Sequence, residues 1–485
     1  DTSVDQPQTL TLTIYQDNLT AGTKDDTFLA TGETLQLGDQ LFGLEGNDTL
    51  ELSISGTSPG MFDGFNTDSV EMIRVKSLSN NPSTIDMSGT KGVTTLESFE
   101  VDGSSLGFRD IQDVNGTAIR IIDTDEDHAY SYDLNAYTPG AEAVVDLNLQ
   151  EIRLAPDGQQ NQDGVDIVLT DRDGSRSDVE VVNLTSAVRP DAGQTPATEN
   201  FLDSLQVGAD LRELNIDGGA DLEVDEYLDE NLNRMDAGAL EADLSLKLHV
   251  QDVVLNGNGT VNAGATTVLS VTGAQGDDTL SIGGFMRGAG ITVVDMGTGN
   301  DELVLGDIDP LLGHATITAG EGFDVVTVNQ TGLLNVDLGE GNDDLFITGD
   351  VDDLTTTAEG DGASVVVAGA GDDSVAIEGN GNYIIEMNEG NDVLVRNGDG
   401  DAFVDLGEGN DTMLVGSQMA QWNGNYAVLA QGGNDAIELW VNGDHFVDLG
   451  TGSDSLDIVG DGDQIVIAGE GDDRVLNQGC LLYTY

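Results

Sequence analysis

Between residues 273 and 477 the chain returns ten times to one short turn, a glycine-spaced tight corner ending in aspartate, and this recurrence constrains the fold more than any other feature. The aspartates are Asp278, Asp301, Asp324, Asp343, Asp373, Asp392, Asp411, Asp435, Asp454 and Asp473, at steps of 23, 23, 19, 30, 19, 19, 24, 19 and 19 residues. Nineteen is the repeat, and the longer steps are insertions such as residues 417–421. Apolar residues follow each aspartate by two and four positions (Leu303 and Leu305, Leu345 and Ile347, Leu456 and Ile458). They return just before the next turn (Val336 and Leu338, Val404 and Leu406, Val447 and Leu449). Alternation of this kind is the period of a strand with one buried face. Each unit holds two short strands and two turns, the second turn being looser (from Gly379, Gly398 and Gly460). Such units bury their apolar face only by stacking, so residues 273–477 are expected to form a parallel β-solenoid.

Stacking places the aspartates in a column along one edge, a strand spacing apart. Arg287, Arg396 and Arg474 are the only bases of that region, and unscreened carboxylates so close repel. A divalent cation between successive turns removes the repulsion. Carboxylate and carbonyl oxygens form a hard, oxygen-only environment, which suits Ca²⁺ better than a metal that seeks thiolate or imidazole. Arg396 occupies an inward position, filled by Ile377 one coil earlier and Val415 one coil later. It is expected to reach a carboxylate or to escape at the strand end.

Units such as LGEGNDTMLV (residues 406–415) and AGEGDDRVL (residues 468–476) resemble the RTX nonapeptide, GGxGxDxUx with U a large apolar residue. The resemblance covers the ten units and FGLEGNDTLEL (residues 42–52). The first glycine is usually replaced here, by Leu406, Ala468 or Met296, and the second turn is degenerate. The resemblance implies calcium held by the aspartates, with Asp48 and Asp26 as equivalents near the start. It also implies that the carbonyls of Gly299, Gly322, Gly341, Gly371, Gly390, Gly409, Gly433, Gly452 and Gly471 complete the cage. Asp399, Asp401, Asp461 and Asp463 are the corresponding candidates in the second row. The resemblance further implies type I export directed by the C-terminal segment.

A formal net charge of −74 opposes binding to nucleic acid or to an anionic membrane face, and it sets the compact state under self-repulsion. One cysteine, Cys480, gives no disulfide framework. No apolar run approaches membrane-spanning length, and no N-terminal signal peptide is evident. The expected organisation is a strand with acidic turns over residues 1–52, then an irregular β-rich region, 53–272, with a loop boundary near 190–196. The calcium roll follows over 273–477, and residues 478–485 form a tail.

TLTLTIY (residues 9–15) reads as one strand. Strand-like segments then recur at Val70, Leu96, Ala118, Ala143, Val165, Val179, Leu211 and Leu246, so an irregular β-solenoid or a run of β-layers is expected. Phrases such as LESFEVDGS and LRELNIDGG resemble RTX-bearing bacterial surface-layer proteins. Two short helices are suggested, at ENFLDSL (residues 199–205) and at VDEYLDENLNRM (residues 224–235), where Leu228, Leu232 and Met235 share a helical spacing.

No catalytic constellation emerges. Residues 56–60 and 103–107 both match GxSxG, but Pro59 deprives Ser58 of an oxyanion donor, and no helix is expected after Ser105. The four histidines are scattered, and His445 reads as a solvated turn residue. DTDEDH (residues 123–128) has His128 where an EF-hand needs glycine. Asp171, Asp173, Ser175 and Asp178 form another oxygen-rich stretch. The chain is therefore expected to be a secreted, non-catalytic, calcium-loaded structural protein that assembles with itself into a layer, sheath or filament, with a cell-surface polysaccharide as a possible anchor. The alternative is the calcium module of an adhesin or of a secreted enzyme.

Overall fold

The structure is a computed structural model. It describes residues 6–56, 60–153, 164–174, 177–189, 198–208, 210–228, 232–251, 268–285, 291–306, 311–312, 314–349, 363–417, 422–478 and 481–484. All secondary structure among them is β, and the strand pairing is parallel. The chain divides into two compact units, Asp1–Lys247 and Leu248–Tyr485.

In the first unit, one sheet stacks Thr9–Thr11, Thr27–Thr31, Thr49–Gly56, Met72–Ser79, Thr95–Val101, Ala118–Thr124, Val144–Ile152, Val181–Ala187, Glu213–Gly218 and Arg234–Leu240 in chain order. A second sheet stacks the intervening strands, among them Ser83–Asp86, Leu106–Ile111, His128–Tyr132, Val165–Asp171, Glu199–Gln206 and Asp221–Val224. Each pair of strands is one coil of a solenoid. A short third sheet, Asn18–Thr20, Gln40–Phe42 and Asn66–Asp68, widens the opening coils. Inward columns such as Leu50, Ile73, Leu96 and Ile119 are buried and in register.

The second unit is a parallel solenoid as well. One sheet contains Leu334–Glu340, Ser364–Val367, Tyr383–Glu386, Ala402–Asp405, Tyr426–Leu429, His445–Asp448 and Asp463–Ile467. The other contains Asp344–Thr348, Ser374–Glu378, Val393–Asn397, Thr412–Gly416, Ala436–Asn442, Ser455–Ile458 and Arg474–Asn477. Leu303, Val326, Leu345, Val375, Leu394, Met413, Ile437 and Leu456 form one unbroken buried column. The tail adds a further strand, Leu481–Thr484, on Asp463–Ile467.

Several expectations are corrected. ENFLDSL lies in the strand Glu199–Gln206. Of VDEYLDENLNRM, Val224 ends the strand Asp221–Val224 and Arg234 and Met235 open the strand Arg234–Leu240, while residues 229–231 lie outside the described residues. Leu228, Leu232 and Met235 are indeed buried, but a chain rounding a solenoid corner can bury residues at helix-like spacing. TLTLTIY is strand only over Thr9–Thr11; beyond Leu12 it turns, and Asp17 accepts the Thr13 N–H. His445 is buried, not solvated, and its Nδ1 accepts the Tyr426 N–H at 3.2 Å. Arg396 is 0% exposed and bonds to backbone carbonyls instead of a carboxylate. The boundary near 190–196, Ser58, Ser175, Arg287 and Cys480 lie outside the described residues.

Candidate metal centre

The tight turns align glycine on glycine. Each carbonyl in the row from Gly276 to Gly452 packs against the next coil's glycine, so that a Cβ at Gly299, Gly322, Gly341, Gly371, Gly390, Gly409, Gly433, Gly452 or Gly471 would fall 1.3–2.0 Å from that oxygen. At Gly390 the backbone also adopts φ +151°, a region that favours glycine. The carbonyls therefore run in a row along the stack, beside the aspartates.

The aspartates form a ladder. The N–H of Asp278 donates to Oδ1 of Asp301, and the pattern repeats through Asp324, Asp343, Asp373, Asp392, Asp411, Asp435 and Asp454 to Asp473, at 2.8–3.1 Å. The Asn or Asp before most of these aspartates builds a second, exposed ladder of opposite polarity, broken at Phe323, in which the side-chain oxygen of Asn391 accepts from Asn410 and that of Asn410 from Asn434. One carboxylate oxygen per turn is thus explained by turn architecture alone.

The other oxygen is not. Oδ2 of Asp324, Asp343, Asp373, Asp392, Asp411, Asp435 and Asp454 is buried with no hydrogen-bond partner among the described residues. A charged oxygen in that setting carries an uncompensated desolvation cost. Burial pushes the carboxyls of Asp343, Asp392 and Asp435 up to about 7 and that of Asp411 up to about 6. It raises those of Asp324, Asp373 and Asp454 as well. Buried, unpartnered carboxylate oxygens next to a row of carbonyls fit a hard cation, and the donor set is all oxygen. Each coil contributes a single acid to this row.

The first unit opens in the same way. Asp26 donates its N–H to Oδ1 of Asp48 at 2.7 Å, and Asp48 donates to Oε2 of Glu71 at 2.7 Å. Glu71, which no sequence motif marks, ends the ladder. Oδ2 of Asp48 is buried without a partner among the described residues, whereas Oδ2 of Asp26 accepts from Gly22.

Asp399, Asp401, Asp461 and Asp463 stand elsewhere, exposed on the looser turns. Oδ1 of Asp399 accepts the N–H of Asn423, and Oδ1 of Asp401 that of Asn425. Asp461 and Asp463 donate their N–H groups to Asn442 and Asp444. Asparagine and aspartate exchange freely in these positions, so the row requires a side-chain oxygen, not a charge.

Further along the first unit, stacked acids are neutralised by arginine. Glu97 binds Arg74 at 2.8 Å and Arg120 at 3.0 Å, in a column Glu51, Arg74, Glu97, Arg120 of alternating sign. Arg189 binds Asp123 at 2.7 Å and Glu151 at 3.1 Å. Among the described residues, the one group of three acids with ligand atoms within 4.8 Å of one another is Asp102, Asp125 and Glu126. His128, from the same stretch, turns into the core, and Asp171 accepts the Tyr137 hydroxyl. Comparison with protein-family models gives no match, and neither does comparison with curated proteins.

Proposed function

We propose that the chain is a secreted, non-catalytic structural protein whose second unit closes around calcium in the row from Asp278 to Asp473, and that calcium-loaded subunits join into an extracellular layer, sheath or filament. The observation that carries the reading is the buried Oδ2 repeated from coil to coil with no partner among the described residues. The contrast between the units supports it: beyond its opening coils the first pairs stacked acids with arginines, while residues 248–485 hold three arginines and no lysine. Calcium would supply the missing positive charge to Asp324, Asp343, Asp373, Asp392, Asp411, Asp435 and Asp454. Binding free energy would then be folding free energy.

Self-association is supported by strand edges. Thr9–Thr11 pairs with Thr27–Thr31 on one side, and among the described residues nothing pairs on the other. Leu481–Thr484 pairs with Asp463–Ile467 on one side, and among the described residues nothing pairs on the other. Open edges are the two halves of a β-augmentation contact.

Circular dichroism and light scattering, recorded as calcium is added to stripped protein, test both parts. The expected result is a gain of β signal followed by growth in particle size, with less growth for a chain lacking residues 1–16. A full β spectrum in chelator would reject the calcium reading. A truncated chain that assembles as well as the whole would reject strand-mediated joining.

A further inference from the structure

One inward column of the second unit is aliphatic but for a single cation. The column Ile347, Ile377, Val415, Leu439 and Ile458 is interrupted at Arg396, which is 0% exposed. Opposite it, the other sheet places Tyr383, Ala402 and Tyr426 on three successive coils. The guanidinium carbon lies 5.3 Å from the Tyr383 ring centroid and 5.4 Å from that of Tyr426, with the small Ala402 between the two rings in register.

The acceptors come from the looser turns. Nη2 donates to the carbonyls of Gly381 at 2.6 Å and Asp399 at 3.3 Å. Nη1 donates to the carbonyls of Gly400 at 3.3 Å and Gly398 at 3.4 Å, and to the Tyr426 hydroxyl. No carboxylate takes part, since the side chains of Asp399 and Asp401 are engaged in the exposed ladder.

We propose that this is a cation site of the second turn row, built from backbone carbonyls and two tyrosine rings, specific for a planar guanidinium and filled by the chain's own Arg396. Carbonyl dipoles converging on one point, with π faces on two sides, compensate a buried positive charge that would otherwise carry a large desolvation cost. A divalent ion has no reason to prefer it, because calcium draws on carboxylates that this cage lacks. A fork of coplanar N–H groups can reach four carbonyls on two consecutive turns; an ammonium cannot match that geometry. The tethered cation thus clips together turns from neighbouring coils without metal, and the proposal does not depend on calcium in the first row.

The test is chemical rescue in the full-length chain at saturating calcium. Arg396→Ala is expected to lower the melting temperature, methylguanidinium to restore part of the loss, and methylammonium at equal concentration to restore none. Wild type should respond to neither, and Arg396→Met, which fills the space without charge, should stay destabilised. An Arg396→Met protein as stable as wild type, or equal responses of wild type and Arg396→Ala to methylguanidinium, would overturn the proposal. Should Arg396→Ala fail to fold, Arg396→Lys decides: the site predicts melting below wild type, and an unchanged melt rejects guanidinium specificity.

Discussion

Asp392 donates its backbone N–H to Oδ1 of Asp411 at 2.8 Å, while Oδ2 of Asp411 is buried with no partner among the described residues. The two oxygens of one carboxylate thus have separable roles. Asp411→Asn keeps the acceptor and removes the charge. It is expected to melt no lower than wild type without calcium, but lower with it, and to take up less calcium. Asp411→Ala loses the rung as well and should be weaker in both conditions by roughly 1–2 kcal/mol. Paired thermal melts and a calcium titration distinguish these outcomes; an Asp411→Asn protein that binds calcium like wild type would make the charge irrelevant.

The raised carboxyls of Asp343, Asp392 and Asp435, near 7, and of Asp411, near 6, fix the sign of a pH effect in stripped protein. Between the ordinary value of 3.8 and about 7 the folded state binds more protons than the unfolded chain. Stability from these groups is therefore present at low pH and lost as pH rises toward 7. Calcium-free second-unit unfolding should occur at higher temperature at pH 5 than at pH 7.5. With calcium the order should invert, because protons compete for the same oxygens. Melts at the two pH values, with and without calcium, are the measurement.

His128 predicts the opposite slope in the first unit. Burial lowers its pKa from 6.5 to about 4, with Nδ1 at 2.7 Å from the Glu126 carbonyl. A base whose folded pKa is depressed gives stability that is present above pH 6.5 and lost as pH falls toward 4, by up to about 3 kcal/mol. His128→Phe should flatten that part of the first unit's pH–stability curve. An unchanged slope would assign the acid sensitivity to the surrounding carboxylates.

Gly390 tests the carbonyl row. A Cβ there would meet the Gly371 oxygen at 1.6 Å, on a backbone with φ +151°. At Gly432 the nearest atom is a flexible carboxylate end of Glu408, at 2.9 Å. Gly390→Ala is expected to cost at least about 1–3 kcal/mol from backbone strain alone. Gly432→Ala should cost less than that, as denaturant titration of both variants would show.

The second-unit coils were legible because Leu303, Leu345 and Leu456 hold the same offset from an aspartate, and a repeated offset defines a register. The first unit was legible by halves. Segments at Val70, Leu96, Ala118 and Val165 announced strands, but Leu106–Ile111 and His128–Tyr132 did not, because coil length varies there and no turn motif marks the second strand. Glu71 was invisible because only its position in the stack gives it a role. The cage around Arg396 was invisible for a different reason: its acceptors are main-chain oxygens, which every residue carries. The double ladder of the turns was equally hidden, since spacing alone does not tell a carboxylate that caps from one that binds an ion.

The rung from Asp343 to Asp373 spans 30 residues of chain, and the rung from Asp392 to Asp411 spans 19, yet both measure 2.8 Å. Contour length between rungs is therefore a free variable, fixed by neither the ladder nor the stacked strands. Foreign sequence inserted within residues 350–362, between the strands Asp344–Thr348 and Ser364–Val367, is therefore expected to leave the rung and both sheets in register, which makes that stretch a natural place to graft a peptide.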